Sequence, residues 1–341
     1  MTVTVERFTA SAGEWDAFVR FAERGTPCHL YGWKGIVERV LGHECVYLAA
    51  RSPDGRIVGV LPLVRVSSHL FGSYLVSMPF LNAGGPLGSA VAVQALTARA
   101  VDITRSRGIE LLELRSRHGL PVDLPVSHRK ITVVRELTPG NPGLVWDSLR
   151  AKVRSQVRRP QKEGIVVRFG LDQVGSFFRV FSQHMRDLGT PTQPRGLFEA
   201  LVEAFPAEVW FGCAYDGTRP IAAGCGLRGQ DEFEMTWAAS LAHYNALAPN
   251  MLLYWAFMER AAEQGLATFD FGRCTPGSGT HRFKQQWGGV DQALWWYQHG
   301  AGRVATPSPD DRAFAWGPRM WKKLPLPVAN VLGPRVVRLI P

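Results

Sequence analysis

NMLLYWAFMERAAEQGLATFDFGRCTPGSGTHRFKQQWG, from Asn250 to Gly288, is the stretch that decides the fold. Asn250 can cap a helix, because its side-chain oxygen can accept from the exposed amides of a first turn. Apolar residues then recur at helical spacing through Ala262. Gly265 suits the left-handed position that ends a helix. Ala267 to Phe271 is short, apolar and β-prone, so it is predicted as a strand. Asp270, Gly272 and Arg273 stand at its end, followed by a loop with Gly277, Ser278 and Gly279 and then by Arg282-Phe283-Lys284 and Trp287-Gly288. A charged pair ending a buried strand, followed by a Gly-rich loop carrying a lysine and aromatics, points to a ligand site.

Upstream, the same order occurs once more. Val91 to Arg107 is predicted as a helix, Gly108 ends it, and Ile109 to Leu114 is a strand. Val209 to Tyr215, the Asp216-Gly217 turn and Pro220 to Leu227 match Val46 to Ala50, Asp54-Gly55 and Ile57 to Leu63. Glu113 then stands where Asp270 stands. Order, spacing and turn chemistry together indicate two copies of one mixed α/β unit. The expected division is 1–140, 141–300 and a basic arm at 301–341, with Thr138-Pro139-Gly140-Asn141-Pro142-Gly143 as the junction. The loop Asn82-Ala83-Gly84-Gly85-Pro86 reads equally as a ligand-approach loop or a plain turn.

A chain of 341 residues with 46% hydrophobic and 20% charged residues has enough apolar surface for two soluble domains. The formal net charge of +10 suits an anionic partner or simply a basic surface. Five cysteines, Cys28, Cys45, Cys213, Cys225 and Cys274, lack CxxC spacing and are expected to be free thiols. No metal-ligand cluster is expected. No apolar leader or membrane-spanning run is evident, so a cytoplasmic protein is expected.

LRAKVRSQVRRPQKEGI (149–165) is a basic helix with Arg154 and Arg158 on one face. Lys152, Arg159 and Lys162 add charge, and Pro160 is expected to end the regular helix. Such a face either meets solvent or binds phosphate, for which arginine's planar fork is suited. His184 and His281 are expected to be packing or surface residues. From Leu326 to Ile340 the chain is apolar and basic. It reads as a packing arm, since Pro325, Pro327 and Pro334 leave little uninterrupted helix, or as an amphipathic segment on an anionic membrane.

FDFGRCTPGSGTHRFKQQWG (269–288) resembles the strand, Gly-rich loop and phenylalanine-lysine ending of the FemAB-like acyltransferases. The likeness is greatest to those associated with PEP-CTERM and exosortase exopolysaccharide systems. LYGWKGIVERVLGH (30–43), MPFLNAGGPLG (78–88), MRDLGTPTQP (185–194) and WKKLPLPVANVLGPR (321–335) extend the resemblance over most of the chain. It implies an α/β (α+β) fold: a tandem duplication of two GNAT-like acyltransferase units, with mixed sheets flanked by helices and no long helical hairpin arm. It also implies acyl or aminoacyl transfer to a phosphate-bearing cell-envelope or exopolysaccharide precursor. The donor is an acyl-CoA or an aminoacyl-tRNA, with no tightly bound cofactor. The hairpin arm that contacts tRNA in relatives has no counterpart, and AHYNALAPN (242–250) lacks the glycines of a CoA-binding turn.

By the same resemblance Lys284 stabilises the reacting group. Asp270 orients Arg273 or the acceptor, or else caps the strand end. Lys152, Arg154 and Arg158 hold a phosphate. Gly272 and Arg273 line the site, Trp33 and Lys34 form a wall of the first unit, and Phe283 stands beside the substrate or packs the loop with Trp287. No catalytic base is evident. A non-catalytic scaffold binding a lipid-linked glycan at the inner face of the membrane is the competing reading, and RNA binding through residues 149–165 is a third.

Overall fold

The computed structural model describes residues 2–68, 72–300 and 316–339. Two compact units divide the chain. The first begins with β1 (Thr4–Arg7), α1 (Ala12–Phe21), α2 (Gly32–Ile36), β2 (Glu44–Arg51) and β3 (Ile57–Ser68). It continues through β4 (Gly72–Val76), β5 (Leu87–Gly88), α3 (Ala90–Ser106), β6 (Leu111–Ser116) and β7 (Val126–Ser127). The second unit opens with β8 (Ile131–Glu136), α4 (Pro142–Asp147), α5 (Ala151–Lys162), β9 (Val166–Phe169), α6 (Val174–Leu188) and α7 (Arg195–Ala204). Then come β10 (Val209–Asp216), β11 (Arg219–Arg228), β12 (Glu232–Ser240), α8 (Pro249–Glu263), β13 (Thr268–Cys274), α9 (Gly279–Gln285) and β14 (Val290–Ala293). Next is β15 (Trp295–Gly300), which belongs to the first unit's sheet; α10 (Trp316–Trp321) and α11 (Leu326–Val337) follow.

Each unit is built on a mixed sheet. The first runs β1-β2-β3-β4-β6-β15-β7, with β5 also on β3, and the second runs β14-β8-β13-β12-β11-β10-β9. The predicted repeat is present at the level of register. In the first unit β4 and β6 pair in parallel with Val76 opposite Glu113, and in the second β12 and β13 pair in parallel with Glu234 opposite Asp270. Gly108 and Gly265 follow α3 and α8 at matching places.

The expected boundary at residue 140 and the assignment of 141–300 to the second unit are both corrected. β8 pairs with β13, so the second unit starts at Ile131, while β15 pairs with β6 and β7 and returns the chain to the first unit. Strand pairing overrides the Pro/Gly-rich stretch at 138–143, which is a turn leading into α4 within the second unit. Residues 301–315 and 340–341 of the expected arm lie outside the described residues.

Local chemistry explains the second unit's core. β10 and β11 place Gly212 opposite Gly224, and a Cβ on either would sit within 3 Å of the Phe257 ring of α8. The two glycines leave a socket into which α8 sinks Phe257, against Phe233 and Phe169. Pro160 does not end α5 early. It lies in the last turn, where a missing N–H removes a single helical bond. α8 starts at Pro249 rather than on an Asn250 cap, because proline needs no partner for an N–H at the first helical position. The loop at 82–86 is a buried turn: Gly85 donates to the Arg115 carbonyl, and His29 Nε2 lies 3.1 Å from the Gly85 oxygen. All five cysteines are buried, and none is bridged in a disulfide. Among the described residues no helix is long and apolar enough to cross a membrane, and the longest, α3, has 17 residues.

Candidate functional site

The site forms where β12 and β13 part. They pair in parallel only over Glu232–Glu234 and Thr268–Asp270. Beyond those residues each keeps its antiparallel partner, β11 for one and β8 for the other, and each carries a bulge. The β11–β12 register shifts so that Met235 and Thr236 oppose Gly226. The β13–β8 register shifts so that Phe271 and Gly272 form the extra segment. A bulge adds a residue to one strand and bends it. Two bulges beside the last parallel pair turn the strands from each other and leave β12 without a parallel neighbour from Met235 to Ser240.

Gly272 makes the second bulge fit. Its φ of 75° is a left-handed value, and a Cβ there would lie 2.6 Å from the Met235 carbonyl oxygen. Asp270, 1% exposed, accepts at Oδ1 from the Gly272 amide at 2.7 Å and from the Thr132 hydroxyl of β8. The carboxylate therefore braces the bulge, in agreement with the strand-end cap reading.

Lys284 reaches the same bulge from α9. Ser278 caps this helix by accepting from the His281 amide, and His281 accepts at Nδ1 from Gly277 while its Nε2–H donates to Asp291. His281 thus pins the glycine loop. Lys284, 4% exposed, donates to the Gly272 carbonyl at 2.6 Å and the Arg273 carbonyl at 2.9 Å. An ammonium has three hydrogens, so one remains for another oxygen. Burial holds the Lys284 pKa below the usual 10.5; Cys274, Asp270 and Glu234 oppose that shift, and Arg273 adds to it. Phe283 packs edge-on against Tyr254, with Trp287 beside them, so it serves the loop. Arg135 of β8 holds the loop's far end, donating to the Trp287 carbonyl and to Ser148.

Several other expected site residues have partners of their own. Arg154 donates to the carbonyls of Asp147 and Leu149, closing the end of α4, and the Arg158 guanidinium lies over the Trp146 ring. Lys152 is exposed. In the first unit Trp33 is buried and donates to the Pro27 carbonyl, while Lys34 pairs with Glu38 at 2.8 Å. His184 Nδ1 lies 2.9 Å from the carbonyl of Ser240. Ser240 is six residues along β12 from Glu234, about 20 Å at strand rise, too far to share a reacting centre with Lys284. Thr132, Glu234 and Arg135 were not expected; nothing local in the sequence marks them, because their partners are over a hundred residues or a whole strand away.

Comparison with known proteins bears on the fold that carries these residues. Residues 147–285 match the acetyltransferase (GNAT) domain family. That span runs from Asp147 at the end of α4 to Gln285 at the end of α9 and includes the bulged segments of β12 and β13. Among solved structures, FemX shares 15% identity over 88% of this chain and 98% of its own, with a TM-score of 0.65. L-PGS from Bacillus licheniformis shares 12% over 97% of each chain, with a TM-score of 0.59. A tandem GNAT protein from the clavulanic acid biosynthesis pathway shares 12% over 88% of this chain and 100% of its own, with a TM-score of 0.53. These likenesses concern the fold. A comparison with curated protein sequences finds no match. The PEP-CTERM association is not among the likenesses found.

Proposed function

We propose that the chain is an acyltransferase, moving an acyl or aminoacyl group from an acyl-CoA or aminoacyl-tRNA to an amine or hydroxyl of a phosphate-bearing envelope or exopolysaccharide precursor in the cytoplasm. The observation that carries this reading is the parting of β12 from β13 beside the buried Lys284 clamp. Backbone groups on β12 beyond Glu234 lack a parallel neighbour, so an extended, amide-bearing donor can pair with them as an added strand. Its reactive carbonyl then lies toward the bulge. The acceptor's nitrogen or oxygen forms a bond to that carbonyl carbon, the donor's ester or thioester bond breaks, and the acceptor's proton leaves with the departing group or to water. Charge builds on the carbonyl oxygen during attack, and the third N–H of Lys284 stabilises it. Asp270 acts by holding Gly272, and so the two carbonyls that aim Lys284. Lys152 and Arg158, on the exposed side of α5, face a substrate phosphate. Pro249 occupies the first position of α8, so that helix offers one amide fewer to a pyrophosphate than it otherwise would.

The test is transfer of a labelled acyl group, first from a panel of acyl-CoAs and then from aminoacyl-tRNAs, to envelope precursors carrying a free amine or hydroxyl. One donor class is expected to react. Lys284→Met is expected to lower kcat about 100- to 1000-fold, the usual loss for one oxyanion donor, while KM for the acceptor changes only a few-fold. Transfer at the wild-type rate by folded Lys284→Met, or no transfer from any donor, would overturn the reading.

A further inference from the structure

The two C-terminal helices dock on the second unit by one side and leave the other unused. Pro318 lies against Gly189 at the end of α6, Arg186 donates to the Leu324 carbonyl at 3.0 Å, and Gly333 lies against the backbone of Thr192. Ala329, Gly333 and Val337 form the buried stripe of α11. Pro327 and Pro334 do not prevent this helix, since they fall in its first and last turns.

The outward side is apolar. Val328, Val331 and Leu332 recur at helical spacing and are exposed, Val331 by 58%; Met320 of α10 is 61% exposed, and Leu188 at the adjoining end of α6 is exposed too. These are five of the eleven large exposed apolar side chains among the described residues, all on α10, α11 and the end of α6. Arg319, Lys322 and Lys323 flank this face on one end and Arg335 on the other, all exposed, and the chain carries no Asp or Glu from Trp316 to Pro341. An apolar stripe on helices whose own charged residues are all cations is complementary to a surface with an apolar interior and anionic headgroups. At about 18 Å, α11 is far too short to cross a bilayer, so it fits the interface plane.

We propose that α10 and α11 form a docking surface for a bilayer rich in anionic phospholipid, with Val328, Val331, Leu332 and Met320 entering the headgroup boundary and Lys322, Lys323, Arg319 and Arg335 meeting the phosphates. This surface lies outside the bulge site, and it stands whether or not transfer is found.

The full chain is tested by co-sedimentation with vesicles of phosphatidylcholine alone or mixed with phosphatidylglycerol. Binding is expected only to the mixed vesicles and is expected to weaken as salt rises. Lys322→Ala with Lys323→Ala should lower partitioning about 30-fold, at the usual contribution of one basic side chain near an anionic surface. Val331→Asp should bring it to background, and because Val331 is exposed the variant should melt like the parent. Absence of binding to mixed vesicles, equal binding to both, or variants that bind like the parent would overturn the proposal. So would an equal phosphate concentration of tRNA stripping the protein from vesicles, which would mark general polyanion binding. Sedimentation showing a dimer that Val331→Asp dissociates would instead assign the face to a second copy.

Discussion

At Gly272 one methyl group decides whether the site exists. Alanine there needs a left-handed backbone and places its Cβ 2.6 Å from the Met235 carbonyl oxygen. The bulge must shift, and the two carbonyls that hold Lys284 shift with it. Gly272→Ala is expected to lower stability by about 1–3 kcal/mol and to abolish transfer, checked by denaturant unfolding alongside the activity assay. His29 gives a separate residue-scale prediction. Burial holds its pKa down from 6.5 to about 4, and it stays neutral between Thr26 and the Gly85 carbonyl. Because the unfolded chain binds the proton more readily, stability rises with pH between about 4 and 6.5, by on the order of 3 kcal/mol. Acidification through that window should lower the unfolding free energy of the parent more than that of His29→Gln, as read from urea titrations at several pH values. Lys284 and Asp270 were legible because a buried strand ending in a charge, then a glycine loop and a lysine, is a local pattern. Their bonds were not legible: sequence shows a cation's charge but not that Arg154 is already committed to two carbonyls.

At the scale of elements, turns and glycines carried most of the readable signal. The Asp54-Gly55 and Asp216-Gly217 turns, and the glycines after α3 and α8, made the repeat visible because their chemistry is contained in a few residues. Strand partners are chosen across the whole chain, so the exchange of β8 and β15 left no mark. That exchange can be tested. β15 pairs with all six residues of β6, Gln298 donates to the buried Glu113, and the Tyr297 hydroxyl accepts from the Leu120 amide. A chain ending at Gln292 lacks those bonds and the whole strand that pairs with β6. It is expected to lose the first unit's cooperative transition in calorimetry, while amide exchange in the second unit's β10–β12 stays protected. The socket at Gly212 and Gly224 gives a second expectation. Phe257→Ala should cost about 3–5 kcal/mol, because the cavity it leaves is walled by backbone that cannot close.

For the whole molecule, the net charge of +10 was visible at once, but its meaning depends on where the cations lie. Arg51 and Arg107 are held by carboxylates, Arg154 by backbone carbonyls, and Arg260 lies over the rings of Phe169 and Trp210. The cations of α10 and α11 are exposed beside exposed apolar side chains, and the proposed lipid surface rests on that combination. The division of the chain has a further consequence for its birth on the ribosome. The first unit's sheet cannot be completed when residue 130 emerges, because its interior strand is residues 295–300. At common synthesis rates the intervening residues take roughly 10–30 s to appear. Through that interval nascent β6 lacks one neighbour, and the second unit has time to form first. The half that is translated last therefore finishes the half that is translated first, and a helper that shields unpaired strand edges would serve this chain most while its C-terminal half is still being made.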